Sequence, residues 1–123
     1  MSARPVILAA VADVLAVLVF AAVGRGSHAE ALDPVGLLGT AGPFLLGLLV
    51  SWPAARAWRT PARVRTGAVI WLGTAVVGLA VRAAFTWRLP PTFVLITAVS
   101  LAVLLIGWRG IGRAVTHARP RTT

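Results

Sequence analysis

Only three of the 123 residues are acidic, and one of them, Asp13, stands in the middle of an apolar run over 6–23. A carboxyl group in such a place supports two kinds of chemistry: it binds a proton or a cation away from water, or it ties helices together through a partner. An ionised carboxylate at the centre of a membrane-spanning helix costs about 2.5–3.5 kcal/mol. Asp13 is therefore expected to be either protonated and hydrogen-bonded or matched by a cation. Arg82 is the arginine that lies well inside an apolar run, and it is the expected partner. Helical side chains lean toward their own N-terminus, so Arg82 reaches toward the depth of Asp13. The two depths differ by about 10 Å at 1.5 Å per residue, a gap that a water can bridge.

Thr40, Thr74, Thr97 and Ser100 fall within about 5 Å of the same layer, counted from the middle of each run. Asp13, Thr40, Thr74 and Arg82 thus form a candidate intramembrane polar site. Hydroxyls also join membrane helices with no further role, and both readings stay open here. Pro43 sits at the centre of the second run, where it leaves the Gly39 carbonyl without its usual donor and predicts a kink.

A second polar group lies over 24–33, where Gly24-Arg25-Gly26-Ser27-His28 precedes Glu30 and Asp33. Arg25 and His28 are candidates for an outer-loop polar cluster. Metal binding by His28, Glu30 and Asp33 is conceivable, but a solvated turn with Asp33 capping Pro34 accounts for the same residues, so no metal site is assigned. His117 belongs to the opposite side, and two histidines on opposite faces cannot clamp one haem. The chain has no cysteine, which removes thiol catalysis, thiolate metal sites and disulfides. The glycines follow no strand and make no phosphate loop. With no nucleophile–base pair at one depth, neither an enzyme nor a cofactor is expected.

The elements that must carry these residues follow from composition. Hydrophobic residues make up 59% of the chain and charged residues 12%, against about 45–50% and about 25% in soluble domains. So little polar surface cannot cover a water-soluble globule, and lipid is the solvent. Four apolar runs, over 6–23, 34–52, 66–87 and 92–108, each approach the ~20 residues that cross a bilayer as a helix. The short connections predict antiparallel hairpins. The expected fold is all-α: one integral membrane domain over 1–123, a four-helix bundle with a cytoplasmic tail over 110–123. Ala29-Glu30-Ala31 mimics a signal-cleavage site, but the first run is long for a signal core and carries Asp13.

All twelve basic residues are arginine, and the net charge is +9. Arg4, Arg56, Arg59, Arg63, Arg65, Arg109, Arg113, Arg119 and Arg121 fall on one side of the bundle, and Arg25, Arg82 and Arg88 on the other. This asymmetry places both termini in the cytoplasm and the chain in the cell inner membrane. Trp52, Trp58, Trp71 and Trp108 cluster toward the cytoplasmic boundary and Trp87 marks the outer one, as interfacial aromatics do. The cytoplasmic arginines flank helix ends, where anionic lipid attracts each by about 1 kcal/mol; nucleic acid is not an expected partner. Ile111 and Val115 keep helical spacing in the tail, so helix four is expected to continue along the interface. Four short helices offer little interior volume, which points to a homo-oligomer or a subunit of a membrane complex. Sliding the chain by 57 residues superposes Arg25 on Arg82, Pro34 on Pro91, Thr40 on Thr97 and Arg56 on Arg113, a weak sign of a duplicated hairpin.

Several features occur in a familiar order: Asp13 with Phe20, Gly24-Arg25 followed by Ser27-His28, Asp33-Pro34-Val35-Gly36, Thr40 with Pro43-Phe44-Leu45, Trp71 with Gly73-Thr74 and Arg82, Phe93-Val94, and Gly107-Trp108-Arg109. From Asp13 to Arg109 the chain resembles the bacterial membrane family called domain of unknown function 3054. The resemblance implies a small integral membrane protein, typical of actinobacteria and their relatives, and carries over no catalytic residue. The functional expectation is a non-enzymatic scaffold or accessory subunit. The rival is a small oligomeric transporter or channel with Asp13 as its proton or cation site.

Overall fold

The computed structural model describes residues 3–27 and 34–118. Among these there is no strand. The chain forms α1 (Arg4–Ser27), α2 (Pro34–Ala55), α3 (Val64–Thr86), α4 (Pro91–Leu101), a π-helical turn (Ala102–Ile106) and α5 (Gly107–Ala118). The last three are consecutive, so the fourth span is one long rod. Arg4–Arg25, Pro34–Ala55, Val64–Thr86 and Pro91–Thr116 are each long and apolar enough to cross a membrane.

From α1 to α4 the helices are apolar on all sides, the pattern of a helix whose solvent is hydrocarbon, whereas α5 has one apolar and one polar face. Leu15, Leu49, Leu72, Leu95 and Val103 each expose more than half of their surface. In water that display would be an aggregation surface; in lipid it costs nothing. Inside, Val17, Phe20, Phe44, Leu48, Ile70, Leu101 and Leu105 make a continuous core. Phe20 meets Phe44 edge to face at 5.0 Å between ring centroids, a geometry worth about 0.5–1.5 kcal/mol beyond its buried area.

Lipid gives helices no hydrophobic reason to associate, so contact has to come from close packing and hydrogen bonds. The closest pair is α2 and α3. A Cβ on Gly47 would lie 2.8 Å from the Thr74 carbonyl oxygen and 2.9 Å from its Cα. Gly78 gives its space to the Phe44 ring, and Gly73 gives its own to the Ser51 side chain. Ser51 spends its hydroxyl inside its own helix, donating to the Gly47 carbonyl at 2.6 Å. Trp71 Nε1 donates to the Ala98 carbonyl at 2.8 Å, which ties α3 to α4.

The expected helices appear with shifted ends. α2 runs unbroken through Pro43 and Pro53; losing one ladder bond at each does not end a helix held by its neighbours. α3 stops at Trp87, which adopts the left-handed conformation (φ 58°) and sends its N–H to the Ala83 carbonyl. Pro91 then opens α4, a position that suits its missing N–H.

The fourth span continues helically past 108 to Ala118. Thr97, Leu101, Leu105 and Arg109 are all buried, at intervals of four residues. On an ideal α-helix of 3.6 residues per turn such a row drifts by about 40° per step. The π turn at Ala102–Ile106 winds more residues into a turn and takes back part of that drift. Arg109 is thereby kept on the face that Thr97 presents to the bundle.

Two substitutions on one helix test the close packing. Both lie in α2: Gly42, where an added Cβ would meet nothing within 4 Å, and Gly47, pressed on Thr74. Gly42→Ala should leave the thermal midpoint in detergent unchanged or raise it slightly, since alanine is favoured over glycine by about 1 kcal/mol in a helix. Gly47→Ala should lower that midpoint. Equal effects at the two positions would mean that α2 and α3 do not meet as described.

Candidate functional site

Asp13 projects from α1 into the bundle and is fully buried. Its partner is Arg109, not Arg82. Arg109 Nη1 donates to Asp13 Oδ1 at 2.8 Å and Nη2 donates to Oδ2 at 2.7 Å, a bidentate pair whose two side chains have no exposed surface. Two indoles complete the carboxylate's shell: Trp52 Nε1 donates to Oδ2 and Trp108 Nε1 to Oδ1, both at 2.9 Å. Each carboxylate oxygen thus receives two hydrogen bonds.

The guanidinium makes further bonds beyond the carboxylate, which bring four of its five N–H groups to acceptors. Arg109 Nε donates to the Pro61 carbonyl and Nη1 also donates to the Leu105 carbonyl, each at 2.9 Å. Its carbon centre lies 4.4 Å from the centroid of the Trp108 ring, within cation–π range. α3 contributes space: a Cβ on Gly67 would fall 2.6 Å from Arg109 Cδ, so glycine there lets the arginine stem pass. Asp13 from α1, Trp52 from α2, Pro61 from the following connection, Gly67 from α3, and Trp108 with Arg109 from α5 therefore meet at one point.

A planar guanidinium matched to a carboxylate gives strong, directional hydrogen bonds. Fully buried ionic groups become tolerable as their remaining donors and acceptors are met, and here, among the described residues, the indoles and the two carbonyls meet all of these but one N–H of Nη2. The assembly is electrically neutral. Among the described residues it offers no lone pair facing a channel and no open ligand position for an ion.

The four residues expected to share one polar layer are divided by the structure. Thr40 accepts a hydrogen bond from Arg25 Nη1 at 3.0 Å. Arg82 lies with its guanidinium 4.5 Å from the centroid of the Phe93 ring. Thr40, Arg82 and Arg25 line a common cavity that does not include Asp13. Thr74 is buried at the crossing of α2 and α3, with a hydroxyl that has no hydrogen-bond partner among the described residues. Asp13 is grouped instead with the α2 end and the 56–63 connection, so its layer lies away from that of Thr40. His28, with Glu30 and Asp33, lies outside the described residues.

Sequence reasoning missed Arg109 because it follows Trp108 at the end of an apolar run and reads there as an interfacial anchor. The signal that marks it is its register: it continues the four-residue row from Thr97. Trp52 and Trp108 likewise have the sequence position of boundary aromatics, yet their indole N–H groups turn inward to an acid.

Four helices of membrane length, joined where α1, α2, α3 and α5 meet at a buried ion pair, define a small multi-pass membrane protein. Residues 10–112 match the family described as a protein of unknown function, DUF3054, and the chain belongs to that family. The matched region spans both Asp13 and Arg109. No curated protein and no solved structure matches the chain.

The indoles provide a graded test. Trp52→Phe and Trp108→Phe keep an aromatic ring and each remove one donor from Asp13. A buried acceptor losing a partner costs about 1–3 kcal/mol, so each variant should unfold at a lower denaturant midpoint in detergent micelles. Trp87→Phe, at a largely exposed position, should behave as the wild type.

Proposed function

We propose that this protein is a non-enzymatic membrane component, a scaffold or accessory subunit, in which the Asp13–Arg109 ion pair is a structural clamp. The observation that carries this reading is the complete satisfaction of Asp13: two donors on each oxygen and no exposed surface. A carboxylate that exchanges protons or cations needs an oxygen that can turn to water or to the ion. Here that would mean opening a bidentate bond and two indole bonds in every cycle.

The same reading places the bundle in the cell inner membrane as antiparallel helices, with both termini and the 56–63 connection in the cytoplasm. The nine-to-three arginine asymmetry supports this orientation, and anionic lipid is the natural partner of the cytoplasmic arginines. The large aliphatic side chains on the outside of the bundle are consistent with self-association or with docking to other membrane subunits.

The transporter alternative separates from the clamp in one set of variants. Asp13→Asn and Arg109→Gln each leave half of a buried pair and should lose about 3–5 kcal/mol of stability. The double replacement Asp13→Leu with Arg109→Met removes both charges and should be more stable than either single variant, though below the wild type because the two indole N–H groups lose their acceptor. If instead the reconstituted wild type shows proton-coupled flux, and Asp13→Asn abolishes it while its unfolding midpoint stays unchanged, the clamp reading is wrong.

A further inference from the structure

A second polar centre, independent of the clamp, lies at the end of the bundle that carries the α3–α4 turn. A cavity of about 490 Å³ opens there, and Arg25, Arg82 and Arg88 all line it. Of the three acids in the chain, Asp13 is consumed by Arg109. Glu30 and Asp33 remain, so even with each of them opposite one of these arginines the cavity keeps an excess of positive charge. A confined cationic surface at a membrane boundary is a site for an anion.

The weak internal duplication sharpens the assignment. Arg25 and Thr40 in one half correspond to Arg82 and Thr97 in the other, and all four residues line the cavity. In the first half the arginine donates to the threonine, Arg25 Nη1 to Thr40 Oγ1 at 3.0 Å. In the second half that bond is not made. Arg82 stacks on Phe93 instead, and Thr97, fully buried, has a hydroxyl without a hydrogen-bond partner among the described residues. Stacking uses the face of a guanidinium and leaves its edge N–H groups for an oxyanion, which they bind as a fork. Phe20, Phe93 and Ile96 make other parts of the wall apolar.

We propose that this cavity binds the phosphate group of an anionic amphiphile, with Arg82 as the principal donor, Thr97 beside it, and the apolar part of the ligand against Phe20, Phe93 and Ile96. An anion with an apolar body fits both walls, whereas a free ion would leave the aromatic wall unused.

The test uses the full chain in a zwitterionic detergent. Short-chain phosphatidylglycerol, the phosphatidylcholine of equal chain length and inorganic phosphate are titrated separately, and binding is read by calorimetry. The wild type should bind phosphatidylglycerol about tenfold more tightly than phosphatidylcholine. Arg82→Gln and Thr97→Val should each reduce that preference, while Arg113→Gln, at an exposed position on α5, should keep it. The unliganded thermal midpoint reports whether each variant is folded, and Arg82→Lys, which retains the charge, should keep part of the preference if Arg82→Gln does not fold. Inorganic phosphate binding with an affinity equal to that of the lipid, and lost in Arg82→Gln, would support the anion site and assign it to free phosphate. Equal binding of the two lipids by the wild type, or a preference that survives in folded Arg82→Gln and disappears in Arg113→Gln, would overturn the proposal.

Discussion

A charge in hydrocarbon has no solvent to fall back on, and this bundle is organised around that fact at Asp13. The carboxylate can be kept only if the fold brings a cation and further donors to it. Doing so requires contributions from almost every element: the guanidinium and one indole from α5, the other indole from α2, a carbonyl from the 56–63 connection, and an unobstructed path across Gly67 in α3. Helices that lipid would otherwise leave indifferent to one another are thus joined by directional bonds. The arrangement specifies register as well as attachment, because a displacement of one residue along α5 would carry Arg109 about 100° around its helix and away from Asp13.

Close packing and the π turn serve the same constraint. α2 and α3 approach through Gly47, Gly73 and Gly78, which allows dispersion contacts to replace the hydrophobic effect. The π turn keeps the row from Thr97 to Arg109 directed at the bundle over a length at which a regular α-helix would have turned it away. The Leu105 carbonyl, within that turn, receives an N–H from Arg109 itself. The distortion and the ion pair therefore support each other locally.

The two polar centres differ in character. Around Asp13, charges of opposite sign cancel and the donors that face the carboxylate are all engaged, which is the chemistry of a fastening. Around Arg82, positive charge exceeds the negative charge the chain can bring to it, and a hydroxyl at the wall lacks a partner among the described residues, which is the chemistry of a receptor. The four polar residues that share a similar depth along their helices do not meet at one place, because depth says nothing about which face of a helix a side chain occupies.

Composition and run length by themselves determined the environment and the class of fold: with 12% charged residues and four runs near twenty residues, no arrangement other than membrane helices satisfies both the backbone and the side chains. The importance of Asp13 was legible for the same reason, since an acid in an apolar run demands compensation wherever it occurs. The identity of what compensates it was not legible. Arg82 lies inside an apolar run and Arg109 just beyond the end of one, so one-dimensional depth favours the former. The choice between them was made by the angular position of Arg109, set by a π turn that hydropathy does not reveal, and by a glycine on another helix that leaves room for its stem. Helix existence depends on local chain chemistry, whereas the pairing of one acid with one base across 96 positions of sequence depends on how helices rotate against each other, which only packing in three dimensions decides.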